Sequence, residues 1–251
     1  MSETPSPYPG PRLGSEILER RVEVVDLTRE IFEGMPQFAA HQLPFIVVNQ
    51  THAQSVERFA TKLPFETHNL FISEHTGTHT DAIFEYDPDG PTLDVTPLAY
   101  YYGEAICLDV SHVRYPEVFT PAVLEAALEQ SGQEIRRGDI VLLHTGHGDR
   151  TWPARAYLEK HSGLDRTGAE WLAERGVVNI GVDAVAIDHA DDIELVAHLV
   201  CKEYQIVNTE GLTNLDQLVG RRFLYFGLPL RIRAGTGSPI RAVAILQDLA
   251  R

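Results

Sequence analysis

The sequence predicts a single mixed α/β domain, and three observations carry that expectation. Segments of strand composition outnumber helical ones, and the two kinds alternate along the chain. No internal repeat, low-complexity block or linker interrupts the chain after residue 20. At 251 residues, 43% hydrophobic and 23% charged, the chain supplies a core of useful size without cross-links.

Residues 1–20 are rich in proline and read as a disordered lead. They lack the basic start and apolar core of a secretory signal. The domain is expected over 21–251. Residues 22–27 have strand composition, and 28–36 leave that strand as a loop. Residues 37–66 read as irregular, with Pro44, Pro64 and scattered aromatics that either wall a pocket or form surface loop. Residues 67–73 alternate loosely between polar and apolar and read as a strand leading to His75. The run from Glu85 to Pro91 is dense in turn formers. Residues 102–110 form a second good strand. Thr120-Pro121 opens a helix, with Thr at the N-cap and Pro in the first turn. Leu124, Ala127 and Leu128 give it an apolar face, and Gly132 closes it.

The continuous apolar run 138–144 predicts a buried strand. The glycine-rich turn that follows, 145–150, lacks the spacing of a phosphate loop. A helix is expected at 165–175, a buried strand at 177–185 and an apolar helix carrying His198 at 194–203. A short strand at 205–208 has Glu210 just beyond it. Strands near 223–228 and 240–246 finish the chain.

Net charge is −15, with 36 acidic against 21 basic residues. That balance argues against nucleic acid or an anionic membrane surface as the main partner. No run approaches the ~18 apolar residues that span a bilayer. Cys107 and Cys201 sit in apolar runs and read as buried free thiols in a reducing, cytoplasmic compartment. The expected partners are a small-molecule substrate and further copies of the chain, as a dimer or tetramer.

The stretch that carries chemistry is His75-Thr-Gly-Thr-His79-Thr-Asp81. Two imidazoles and a carboxylate within seven residues are metal-ligand types, and Gly77 lets the backbone fold tightly around an ion. A fully extended strand would separate the Cα atoms of His75 and His79 by roughly 13 Å. A helical or looped turn is therefore expected. Glu85, four residues past Asp81, is the candidate proton shuttle, or else an additional ligand. His144, His147 and His189 are read as loop histidines that can also reach the site. Gly-x-Ser-x-Gly is absent, and neither cysteine has a histidine close by in sequence.

These residues resemble the metal-dependent cyclase family, which includes bacterial kynurenine formamidase and isatin hydrolase and whose signature is His-x-Gly-Thr-His-x-Asp. Further matches follow in the family's order: Asp26-Leu-Thr, Gly34-Met-Pro, Trp171-Leu-Ala-Glu-Arg-Gly, Gly181-Val-Asp-Ala with Ile187-Asp188, Ala197-His198-Leu, Asn208-Thr-Glu210-Gly-Leu, and Gly237-Ser-Pro-Ile-Arg241. The resemblance covers roughly residues 21–250 and implies a swivelling β/β/α fold holding one or two divalent ions, zinc or manganese. By position His75, His79 and Asp81 match the first ligands, and His198 and Glu210 the later pair. The signature normally continues Asp-x-Pro-x-His. Here it reads Asp81-Ala-Ile83-Phe-Glu85, so the family's last histidine is replaced by Glu85.

A divalent ion with an open position lowers the pKa of a bound water to about 7 and polarises a carbonyl. The resemblance thus implies hydrolysis of a small amide, lactam or lactone without a protein nucleophile. A cyclase or dehydratase would use the same polarised carbonyl, and a family member that binds metal without turnover is the third reading. Entry of solvent oxygen into the product separates the first two. The substrate pocket is expected from residues 36–66, Tyr100-Tyr101-Tyr102 and the region of Trp152.

Overall fold

Four largely buried strands form the centre of the molecule, three of them mainly apolar and the last, Val207-Asn-Thr-Glu210, mainly polar. In the computed structural model, which describes residues 22–60 and 62–247, they are β5 (Tyr102–Asp109), β6 (Ile140–His144), β7 (Asn179–Val182) and β8 (Val207–Glu210). They pair in parallel, β5 with β6, β6 with β7 and β7 with β8. Parallel neighbours need crossovers, and helices supply them. These are α2 (Pro121–Ser131), α4 (Arg166–Glu174) and α5 (Val196–Tyr204), with a one-turn α3 (His147–Thr151) after β6; α1 (His52–Phe59) lies earlier in the chain. Helices and loops cover both faces, which is why the first three read as mainly apolar runs.

Alternation along the strands divides the core in two. Ile106, Leu108, Val141 and Leu143 pack with Phe119, Leu124, Leu172 and Val200. Ala105, Cys107, Ile140 and Leu142 point the other way, against Leu212, Leu218, Phe223 and Tyr225. The helix caps follow the sequence. Thr120 accepts from the Val123 amide at 3.4 Å with Pro121 beside it, and Gly132 closes α2 at φ +65°. Asp165 accepts from the Gly168 amide at 2.6 Å.

Antiparallel strands complete a nine-stranded sheet. They are β1 (Val22–Asp26), β4 (His79–Asp81), β9 (Arg222–Phe226), β10 (Gly237–Pro239) and β11 (Val243–Gln247), and the strand order is β1-β11-β9-β5-β6-β7-β8-β4-β10. Short β4 is clamped between β8 and β10. This is a mixed α/β architecture of the swivelling β/β/α type.

Three expectations change. Residues 37–66 are not irregular throughout. They hold β2 (Phe45–Gln50), which pairs with β3 (Thr67–Phe71) in a separate two-stranded sheet, and α1, which starts from a Thr51/Gln54 capping box. β3 falls within the strand expected at 67–73, whereas β2, exposed or half-buried apart from Gln50, lacks the alternation that betrays a half-buried strand. The glycine-rich segment after β6 becomes helical from His147 onward. Glu210 lies within β8 rather than beyond it. The reading of residues 1–20 as disordered falls outside the described residues.

Candidate metal centre

The first donor group is built by a turn and a short strand. The chain turns through residues 74–78, where Gly77 takes φ +65°, and enters β4 at His79. This is the looped turn the sequence predicts, and it brings His75 Nδ1 to 2.8 Å from Asp81 Oδ1. His79 donates its Nδ1 proton to the Gly77 carbonyl at 2.9 Å, which fixes the tautomer and turns Nε2 inward. That Nε2 lies 3.5 Å from Asp81 Oδ1 and 3.6 Å from Glu210 Oε2. Two ligands held at 2.0–2.2 Å by one tetrahedral ion sit roughly 3–3.5 Å apart, so these are ligand-to-ligand distances.

The second group comes from α5 and β8. Asp188, in the loop after β7, accepts the Nδ1 proton of His198 and caps α5 through the Ala197 amide at 2.7 Å. His198 Nε2 then faces Glu210 Oε1 at 3.6 Å and Asp81 Oδ2 at 3.9 Å. Asn208, two residues before Glu210 on the same face of β8, donates to Asp81 Oδ2 at 2.6 Å and to Glu210 Oε1 at 3.1 Å. Glu85 stands opposite, with Oε1 3.5 Å from His75 Nε2. All six nominated residues, His75, His79, Asp81, Glu85, His198 and Glu210, line one cavity of about 350 Å³.

The donors fall into two sets with metal-ligand spacing, His75-His79-Asp81 and Asp81-Glu85-His198, and Asp81 belongs to both. Burial pushes the His79 imidazole down. Burial opposes the charge on Asp81, yet the imidazoles of His79, His198 and His75 hold it well below the usual carboxylate range. Burial and then the Asp81 charge push Glu210 up to about 8 and Glu85 up to about 10. Burial likewise opposes charge on His198, but Asp188 and Asp81 raise it well above its ordinary value. The site thus holds more acid than its imidazoles neutralise. Among the described residues no Lys or Arg pairs with Asp81, Glu85, Asp188 or Glu210, and the buried Asn208 Oδ1 has no partner. A nitrogen/oxygen donor set with surplus negative charge fits a divalent cation.

The remaining histidines go elsewhere. His144 faces Asp149 at 3.2 Å and Asp109 at 3.4 Å, and His147 bonds the Tyr157 carbonyl at 2.9 Å. His189 stacks on Tyr115. Pro36, Phe38 and Trp152 wall the cavity as expected, whereas Tyr100, Tyr101 and Tyr102 do not, and none of the described residues between 42 and 66 lines it. Sequence reasoning missed His41, which stacks on His75 with ring centroids 4.8 Å apart, and gave no role to Asp188, Asn208 or Arg29. Arg29 lies in the cavity wall against the edge-to-face pair of Trp152 and Tyr157 and donates to the Leu212 carbonyl at 2.9 Å. Its place in the loop after β1 carries no local signal. Cys107 and Cys201 are buried and free, as expected.

Comparison with known proteins gives a consistent result. A family described as putative cyclase matches residues 25–189. Kynurenine formamidase of Bacillus mycoides (strain KBAB4) is 33% identical over 175 residues, which is 69% of this chain and 77% of that protein. Isatin hydrolase of Roseibium aggregatum is 29% identical over 255 residues, 93% of this chain and 95% of that one. The solved structure of isatin hydrolase A from Ralstonia solanacearum superposes with a TM-score of 0.81 at 27% identity, covering 98% of this chain and all of that one (100%).

Proposed function

The chain belongs to the putative cyclase family, and on that premise we propose that His75, His79 and Asp81 hold one divalent cation while Asp81, His198 and Glu210 hold a second. The reaction is metal-dependent hydrolysis of a non-peptide C–N bond in a small molecule. The observation that carries the two-ion reading is the membership of Asp81 in both donor sets, His75-His79-Asp81 and Asp81-Glu85-His198, with Glu210 Oε1 3.6 Å from His198 Nε2. Zinc or manganese suits the mixed nitrogen and oxygen donors.

A bound divalent cation supplies Lewis acidity to a carbonyl and lowers the pKa of water. The chain does the rest. With a divalent cation in place to offset the burial and the Asp81 charge that hold its proton, Glu85 would take a proton from the attacking water at Oε1 and return it to the leaving nitrogen, so that amide and water become carboxylic acid and amine. His75 Nε2, 3.5 Å away, holds that carboxyl toward the cavity. Phe38, Trp152, Tyr157 and Val185 form an apolar wall that seats a flat substrate and excludes water. These walls favour an aromatic amide, lactam or lactone.

The assembly reading rests on the hairpin. Phe45, Val47, Phe59, Leu70 and Phe71 are exposed apolar side chains on β2, β3 and α1, a surface that a second copy of the chain would cover. We place the protein in the cytoplasm on the strength of its buried free thiols.

Elemental analysis of the chain purified without added metal tests the ligand set. One or two equivalents of zinc or manganese, largely lost in His79→Ala, are expected. A chain that holds no metal and takes up none from either salt overturns the reading. Turnover is then measured on formyl amides, isatin-like lactams and lactones in heavy-oxygen water. Label entering the product marks hydrolysis; turnover without label marks a cyclase or dehydratase.

A further inference from the structure

A second cavity lies behind the catalytic one. Residues 113–115, in the loop after β5, and the segment from Thr145 to Ser162 enclose about 340 Å³, and the lining shares no residue with the catalytic cavity. Three cations reach it: Arg114, Arg150 and Lys160. The chain carries 36 acidic residues against 21 basic ones, so its cations have carboxylates to spare. Arg136, Arg155, Arg166, Lys202, Arg221, Arg222 and Arg241 each take one, whereas others, Arg175 and Arg233 among them, do not; what distinguishes this cavity is three unpaired cations around one volume. Among the described residues none of the three cations at this cavity has a carboxylate within 4.0 Å, and Arg150 donates only to the Thr145 carbonyl, at 3.3 Å.

The nearby acids are occupied with other partners. Asp149 bonds His144 at 3.2 Å, Asp183 accepts from the Thr145 amide at 2.9 Å, and Glu159, the one carboxylate in the lining, pairs with Arg155 at 3.5 Å. After burial, the charge of Arg114 is the largest influence lowering the Arg150 pKa, and the charges of Asp183 and Asp149 oppose it, so the two guanidinium groups repel across one volume with that repulsion partly offset. The floor is neutral and polar. Ser162 is 5% exposed, lines the cavity, and its Oγ has no hydrogen-bond partner. A buried hydroxyl without a partner is costly unless a ligand completes it. Val113 and the Tyr115 ring add an apolar side.

We infer that this cavity is a binding site for a small molecule that presents a carboxylate or a phosphate to Arg114, Arg150 and Lys160 and accepts the Ser162 hydroxyl proton. An oxyanion relieves the repulsion between the guanidinium groups and satisfies the orphan hydroxyl in one step. The site also touches the catalytic wall. His147 at its edge packs on Tyr157 with ring centroids 5.8 Å apart, and α3 runs from His147 to the residue before Trp152; Tyr157 and Trp152 both line the catalytic cavity. An occupant that stiffens α3 therefore alters KM more than kcat.

Calorimetric titration of the full metal-loaded chain at constant ionic strength tests this, with inorganic phosphate in one arm and benzoate in the other. Saturable binding of one probe is expected, and the probe that binds identifies the oxyanion class. Affinity should fall at least tenfold in the Arg114→Gln/Lys160→Gln double variant. Both side chains are exposed, and turnover without added anion should match the parent. Arg114→Gln alone, with an intermediate loss, serves if the double variant folds poorly. Binding must survive in His79→Ala. No saturable binding of either probe, equal affinity in the variants, or loss of binding in His79→Ala overturns the proposal.

Discussion

Asp188 accepts the Nδ1 proton of His198 and leaves the opposite ring nitrogen facing Glu210 and Asp81. One carboxylate thereby sets a tautomer and caps the helix that carries the ring. Removing such a partner costs metal affinity 10- to 100-fold in comparable sites. Asp188→Asn, which keeps the shape but weakens the acceptor, should lower metal affinity by about tenfold or more while the fold persists. Competition against a chelator measures it, and unchanged affinity would release Asp188 from this role.

Glu85 stands where the family signature has histidine. Glu85→Gln keeps its size and removes its proton chemistry. Turnover should drop by about 100-fold with metal content unchanged, since general acid–base groups contribute at least that much. Equal loss of metal would instead make Glu85 a ligand. Glu85→His restores the family pattern and should raise turnover on formyl amides; no change would mean that residue 85 does not limit that activity.

His161 gives the protein an acid limit. Burial, then the nearby His147, pushes its pKa down to about 4. In the unfolded chain it titrates near 6.5, so between these values the unfolded state holds a proton that the native state lacks. Above pH 6.5 the imidazole is neutral in both states and costs nothing. As pH falls from 6.5 to about 4, stability drops, by on the order of 3 kcal/mol, and then levels off for this group. Denaturant unfolding in steps across this range should show that slope, and His161→Phe should flatten it.

Gly163 packs directly on Asp188. A Cβ there would lie 2.1 Å from the Asp188 carbonyl, and backbone must shift to admit it. Gly163→Ala should therefore cost about 1–3 kcal/mol and also weaken metal binding, because the residue displaced orients His198. Thermal unfolding with and without metal separates the two effects. A variant with full stability and full affinity would show that the loop yields freely.

The ease of reading this chain followed the range over which each feature is encoded. His75, His79 and Asp81 announce themselves because a turn gathers donors that are already adjacent in sequence. The central strands are equally plain, since burial on both faces demands unbroken apolar runs such as Ile140-Val-Leu-Leu. Asp188 and Asn208 fall in segments that resemble the family, but their roles are invisible until the sheet brings them against His198 and Asp81, and no local pattern marks Arg29. β3 was legible as a strand, but its partner β2 escaped for the opposite reason: apart from Gln50 its side chains are exposed or half-buried, and the alternation that marks a half-buried strand is missing. Thr51 and Gln54 did carry a helix signal, the capping box that starts α1.

The place of β4 in the sheet sets an order of events during synthesis. Its neighbours are β8 and β10, and Asp81 is held by Asn208, 127 positions later. The ribosome releases the first three donors long before the strands that flank them exist. Such long-range pairing is slow to form, because the intervening chain must close first. A nascent chain halted after β7 would hold His75, His79 and Asp81 without the strands that flank them, and only release of β8 and β10 would close the sheet around β4. Under the proposed ligand set, full metal affinity therefore waits for those two strands.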